Sequence, residues 1–121
     1  MDIVDLPHRI DDEACRAFQQ AVELAGRKWT ASILLGLALG STRFTELRQR
    51  IDGLSDRMLT VRLRELEADG LVEREVVPST PVQVRYALSP AGRELIALLH
   101  PLTEWAHRWD VASASSQRRS A

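Results

Sequence analysis

The sequence predicts a mainly α-helical domain that carries one small β-hairpin near its C-terminal end. Three observations predict it. Apolar residues recur at helical spacing through most of residues 11–70. The pattern then changes over 71–88 to two β-branched runs separated by a proline-bounded tip. Ser89-Pro90, an N-cap with proline at the first helical position, returns the chain to helix.

The elements follow in order. Residues 1–10 contain the breaker Pro7 and are expected to form an irregular arm; 11–110 form the domain; 111–121, ending in ASASSQRRSA, form a polar tail expected to be disordered. Asp11 or Asp12 caps a helix to about Ala25, stopped by Gly26, with Ala14, Phe18, Ala21, Val22 and Ala25 on its apolar face. A second helix, 28–39, is apolar on most sides (Trp29, Ile33, Leu34, Leu35, Leu37, Leu39) and is expected to be the central, most buried one. After Gly40, Ser41-Thr42 is short enough to pair as a stub of strand, and a third helix over 45–50 buries Phe44, Leu47 and Ile51 around its ends. Asp52-Gly53 makes a tight turn into SDRMLTVRLRELEADG (55–70). That stretch opens on Ser55 as N-cap with Asp56 in the first turn and closes on Gly70, with Leu59, Leu63 and Leu66 as its buried stripe. The opposite face carries Arg57, Thr60, Val61, Arg64 and Ala68. The strands are 71–77 and 82–88, joined by Pro78-Ser79-Thr80-Pro81. The last helix aligns Leu95, Leu98, Leu102, Trp105 and Trp109, with Pro101 expected to kink or split it. Two short helices joined by a tight turn and followed by a hairpin make a winged helix-turn-helix, with further helices at both ends.

Composition limits the function classes. With 121 residues, 45% hydrophobic and 27% charged, the chain suits one soluble domain. No apolar run reaches the roughly 18 residues of a membrane helix, and the acidic start MDIVDLPHRIDDE is unlike a signal peptide, so a cytoplasmic address without membrane contact is expected. A single cysteine, Cys15, excludes an internal disulfide framework and a cysteine-rich zinc site. The net charge of −1 argues mildly against a nucleic-acid partner, but its distribution reverses that. Residues 43–64 hold six arginines against Glu46, Asp52 and Asp56, a net +3, whereas residues 1–26 carry a net −4. No glycine-rich phosphate loop, nucleophile elbow or carboxylate pair is present, so no reaction is supplied and no cofactor is expected.

Several blocks together carry a resemblance. GRKWT (26–30), RFTELR (43–48), GLSDRMLTVRLRELEADGLV (53–72), the P…V-x-Y-x-L-S wing (81–89) and the W-x-x-x-W end (105–109), with Cys15 ahead of them, span residues 15–109. This pattern resembles the HxlR-type family of bacterial winged helix-turn-helix transcriptional regulators, within the MarR-like superfamily. The resemblance implies a homodimer joined through its first and last helices on a palindromic operator in double-stranded DNA. It also implies that many members sense electrophiles, oxidants or small molecules. The chain departs from the pattern in three places: Arg16 follows Cys15 where proline is frequent, Arg85 stands where an acid is common, and Ser89 replaces threonine.

Site expectations follow. Arg57 and Arg64 suit base-edge or phosphate contacts, with Thr60 and Val61 beside them. Arg62 lies nearer the buried stripe and suits a backbone phosphate or an acid partner. Ser55, Asp56, Thr42 and Arg43 sit at helix starts, where hydroxyls and amides meet phosphate. Arg74 and Arg85 in the strands and Ser79 and Thr80 on the tip can approach the DNA backbone. The alternative is a winged helix used for protein interaction, whose outer face would carry apolar groups or acids instead. Cys15 has two readings, a small hydrophobe or a redox sensor. Phe18, Val22, Trp29, Leu98, Leu102, Trp105 and Trp109 form either a dimer interface or a ligand pocket within it. His100, Glu104 and His107 share a helical face but have no fourth ligand, so a solvated face is expected there and no metal.

Overall fold

The fold, obtained as a computed structural model, describes residues 12–111. It runs α1 (Glu13–Ala25), α2 (Thr30–Ala38), α3 (Phe44–Arg50), α4 (Asp56–Ala68), β1 (Val72–Val77), β2 (Gln83–Leu88), α5 (Pro90–Leu99) and α6 (Leu102–Arg108). The expected arm and the tail from Ala112 lie outside the described residues.

The helix-turn-helix holds the core. Ile33 and Leu34 of α2, Leu47 of α3, and Leu59, Leu63 and Leu66 of α4 are buried together, with Ile51 and Leu54 closing the turn between α3 and α4. Burying one such side chain contributes about 1.5–3 kcal/mol relative to leaving it exposed. The α2–α3 contact is close because Gly36 faces it: a Cβ there would stand 3.0 Å from Leu47 Cδ2. Local signals set the ends of α4. Ser55 Oγ accepts the Met58 N–H at 3.1 Å, and Gly70 takes a left-handed φ of 78° that stops the helix.

β1 and β2 form a two-stranded antiparallel wing, in register from Val72↔Leu88 to Val77↔Gln83. The tip is therefore 78–82, one residue longer than the sequence suggests. The next pair would be Pro78 with Val82, and Pro78 has no N–H to give the ladder. At the wing's base, Ser89 Oγ donates to the Gly70 carbonyl at 2.6 Å and accepts the Gly92 N–H at 3.0 Å, which fixes the start of α5. Gly92 is required for close approach, since a Cβ would lie 2.1 Å from the Leu71 carbonyl oxygen. The Ser41-Thr42 stub makes one bond to the wing, Tyr86 N–H to the Thr42 carbonyl at 2.7 Å, without becoming a strand.

Three expectations are corrected. α2 starts at Thr30, not residue 28, because Trp29 adopts a left-handed φ of 76° that no helix continues. Leu39 lies beyond α2 and is exposed. α3 begins at Phe44, one residue earlier than expected, because Glu46 caps it from inside. Pro101 does split the last helix, giving α5 and α6. The terminal helices contribute little to the core: no residue of α1 or α6 is buried. Phe18 is 71% exposed, Leu98 74% and Trp109 67%.

Candidate nucleic-acid interface

The solvent face of α4 presents Arg57, Val61, Arg64 and Ala68, all exposed. Thr60, half-covered, donates its hydroxyl proton to the Asp56 carbonyl one turn back, at 2.9 Å.

The arginines of the basic segment divide into two groups. Arg43 donates to Gln83 Oε1 at 3.0 Å, tying the start of α3 to the wing. Arg48 pairs with Asp56 across the helix-turn-helix. Arg50 Nε donates to Ser41 Oγ at 2.8 Å. Arg62 donates to Glu65 Oε2 at 2.8 Å and to the Lys28 carbonyl at 3.1 Å. Among the described residues no hydrogen bond or ion pair engages the side chains of Arg57 and Arg64. Four cations thus hold the scaffold, and the two on the outer face of α4 remain available.

The start of α3 is closed by its own carboxylate. Glu46 accepts the amides of Arg43 (2.9 Å) and Thr42 (3.3 Å) and the Thr42 hydroxyl (3.4 Å). The Arg43 amide, then the Thr42 amide, hold its carboxyl below the usual value of 4.5. The amides at Thr42 and Arg43 thus already have an acceptor within the protein. Of the hydroxyls expected at phosphates, Ser55 Oγ accepts the Met58 N–H as the cap of α4, and Ser79 Oγ donates to the Pro81 carbonyl at 2.6 Å. Asp56 is held by Arg48.

In the wing, Arg74 stands opposite Tyr86 on the sheet face that also carries Val72 and Leu88. With Thr60, Leu63, Arg64 and Glu67 these two line a polar cleft of about 300 Å³ between α4 and the hairpin. Arg85 lies on the other face opposite Glu75, and Thr80 is exposed on the tip.

Cys15 is half-buried in the first turn of α1. Phe18 and Val22 of α1, Leu98 of α5, Leu102 and Trp105 of α6, and Trp109 just beyond it are exposed apolar groups. Trp29 does not join them. Its ring reaches the helix-turn-helix turn, 3.4 Å from where a Gly53 Cβ would be, and Lys28 Nζ lies 5.2 Å from the ring centre. Its cavity, about 260 Å³, is lined by residues of α2, by Leu39 just beyond it and by residues 50–52, and by neither C-terminal tryptophan. His100, Glu104 and His107 are exposed, and among the described residues no three His, Cys, Asp or Glu side chains converge as metal ligands. No helix among them is long and apolar enough to cross a membrane.

Sequence reasoning missed the Arg43–Gln83 and Arg48–Asp56 contacts, which join residues 40 and 8 positions apart. Glu46 was discoverable, because it stands three residues after the N-cap Arg43, the spacing at which a carboxylate reaches back to a helix's first amide.

Comparison with known proteins gives a consistent result. The family model described as HxlR-like helix-turn-helix matches residues 24–114. The HTH-type transcriptional regulator YvaP of Bacillus subtilis is 40% identical over 97 residues, covering 80% of this chain and 90% of YvaP. The reduced form of the transcriptional regulator YodB from B. subtilis superposes with a TM-score of 0.69 at 39% identity, over 76% of this chain and 90% of that one. The redox regulator HypR in its reduced form gives 0.73 at 35% identity, over 81% and 98%. YodB has also been solved after diamide treatment and HypR in its oxidised form.

Proposed function

From a chain that belongs to the HxlR-like helix-turn-helix family, a family of transcriptional regulators and not of enzymes, we propose a homodimer that binds a palindromic operator and releases it in response to an electrophile, oxidant or small molecule. The observation that carries the DNA reading is the pair of unengaged guanidinium groups, Arg57 and Arg64, on the outer face of a helix whose neighbouring arginines are all tied down. Each can reach base edges or phosphates when α4 enters the major groove, with Thr60 and Val61 between them. Arg74 and Thr80 approach flanking phosphates from the wing, and Arg85 adds charge beyond them. An outer face used for protein contact would carry apolar groups or acids instead.

The uncovered apolar faces of α1 and α6 support the dimer. Phe18 and Val22 of one helix and Leu102, Trp105 and Trp109 at the other end of the chain, with Leu98 of α5, need a partner to leave water. Two copies would place their α4 helices in successive major grooves, about 10–10.5 base pairs apart. Cys15, on α1, sits where a covalent change would disturb that interface; the redox states recorded for YodB and HypR motivate assigning it the sensing role.

The test is a mobility-shift titration against the chain's own promoter DNA at two salt concentrations. Wild type binds, and Arg57→Ala and Arg64→Ala each weaken specific binding while staying dimeric; unchanged binding in both variants sinks the assignment. For sensing, diamide releases wild type from DNA but not Cys15→Ser, and equal release would show that the thiol is not the sensor.

A further inference from the structure

The C-terminal half of α4 is fastened to the turn between α1 and α2, residues 26–29, by contacts that the DNA-binding reading does not use. Arg62 Nε donates to the Lys28 carbonyl at 3.1 Å and its Nη1 to Glu65 Oε2 at 2.8 Å, with its side chain only 20% exposed. Arg27 Nη1 lies 3.5 Å from both Glu65 Oε2 and Asp69 Oδ2. Glu65 therefore bridges an arginine from the turn and one from its own helix. The turn is itself held in one shape: Trp29 has a φ of 76°, a region that bulky side chains rarely occupy, and its ring packs at Gly53 in the helix-turn-helix turn.

The geometry points to Arg62, Glu65 and Arg27 as positioning residues that set the orientation of α4, without touching DNA themselves. Arg62 is on the helix that would enter the groove, but its guanidinium is turned back toward the scaffold and spans two protein acceptors. A helix presenting Arg57 and Arg64 to base edges must be held in angle as well as in place. Small rotations move the guanidinium tips farther than the helix axis, and a bidentate base contact tolerates little misalignment. The fastening also links α4 to the C-terminal end of α1, so a shift of α1 reaches the recognition helix through 26–29.

This inference rests on the DNA-binding reading, and its test separates the two. The decisive variant is Glu65→Gln, because the two explanations give opposite signs. Removing a carboxylate near DNA strengthens binding if only charge matters. Loosening α4 weakens specific binding. Operator and random-sequence DNA are titrated against wild type, Glu65→Gln, Arg62→Gln and Arg27→Gln at several salt concentrations, with circular dichroism as the folding control. The expected result is a loss of operator affinity on the order of tenfold for Glu65→Gln and Arg62→Gln and a smaller loss for Arg27→Gln, with the salt slope unchanged and no comparable loss on random-sequence DNA. Tighter or equal operator binding by Glu65→Gln overturns the inference. So does an Arg62→Gln variant whose random-sequence affinity and salt slope fall together, which would make Arg62 a phosphate contact. If Arg62→Gln does not fold, Glu65→Gln decides alone. Wild type failing to bind any DNA overturns the functional reading itself, and the inference with it.

Discussion

α1 and α4 are each thirteen residues long, each capped by a side-chain oxygen and each striped with apolar groups, yet they end in different states. α4 buries Leu59, Leu63 and Leu66 almost completely, whereas α1 buries nothing. Periodicity specifies a helix and its apolar face, but not what will cover that face. For α4 the cover is α2, α3 and the base of the wing, all within the chain. For α1 and α6 no cover is found among the described residues, and the proposed dimer would supply it. On the dimer proposal, one region is stabilised by folding and the other by association.

The sharpest way to break that contrast is to remove an apolar side chain from each region. Leu59→Ala should cost about 2–5 kcal/mol of unfolding free energy, since Leu59 has no exposed surface and belongs to the buried core cluster. Chemical denaturation measures it, and the loss should not depend on protein concentration. Phe18→Ala should act only through the dimer, so its effect should vanish on dilution. A Phe18→Ala loss as large as that of Leu59→Ala at every concentration would show that α1 belongs to the core after all.

Association is tested next by placing a charge on the uncovered face. Trp105→Asp should weaken self-association by about 2 kcal/mol or more, the range of an aromatic interface hot spot. Sedimentation should then find monomer at concentrations where wild type is expected to be a dimer, with helical content retained. A variant that stays dimeric would move the interface away from α6.

The outer face of α4 gives the third comparison, since it is exposed like α1's but charged. Arg57→Ala and Arg64→Ala should each cost about 1–3 kcal/mol in operator binding, leaving melting temperature and dimer unchanged. Fluorescence anisotropy with operator DNA resolves this. A drop in melting temperature instead would mean that these arginines support the fold.

Legibility in the sequence follows the distance over which each feature is decided. The stripe of Leu59, Leu63 and Leu66, the Ser55 and Ser89 caps, the Gly70 stop and the break at Pro101 are set within a few residues, and all were readable. The start of α2 was not. Trp29 reads as a helical apolar residue, and only its packing at Gly53, 24 positions on, accompanies the left-handed backbone observed. The site divides similarly. Which residues face outward on α4 came from helical geometry alone. That Arg62 lies by the core stripe and suits an acid partner was also readable, and Glu65 stands three residues on; the Gln83 partner of Arg43 and the Lys28 carbonyl bound by Arg62 were not, because they lie 40 and 34 positions away.

The smallest effect concerns polar closure within the helix-turn-helix. Glu46 accepts the Arg43 and Thr42 amides at the start of α3, and these bonds lower its pKa below 4.5. The folded protein therefore holds the charged form more tightly than the unfolded chain does. The resulting stability is fully present above the unfolded value of 4.5 and is lost as pH falls through the lower folded value. Glu46→Gln keeps an acceptor oxygen but cannot titrate, so its melting temperature should fall less steeply than wild type's in that acid window. Near neutral pH it should lie slightly below wild type, because a neutral acceptor at a helix start is weaker than a carboxylate. The core leucines and the apolar faces of α1 and α6 carry no titratable group, so neither should contribute to the difference. If both proteins share one acid limb, the carboxylate does not hold α3, and the position of Thr42 against Tyr86 has to be set from the wing.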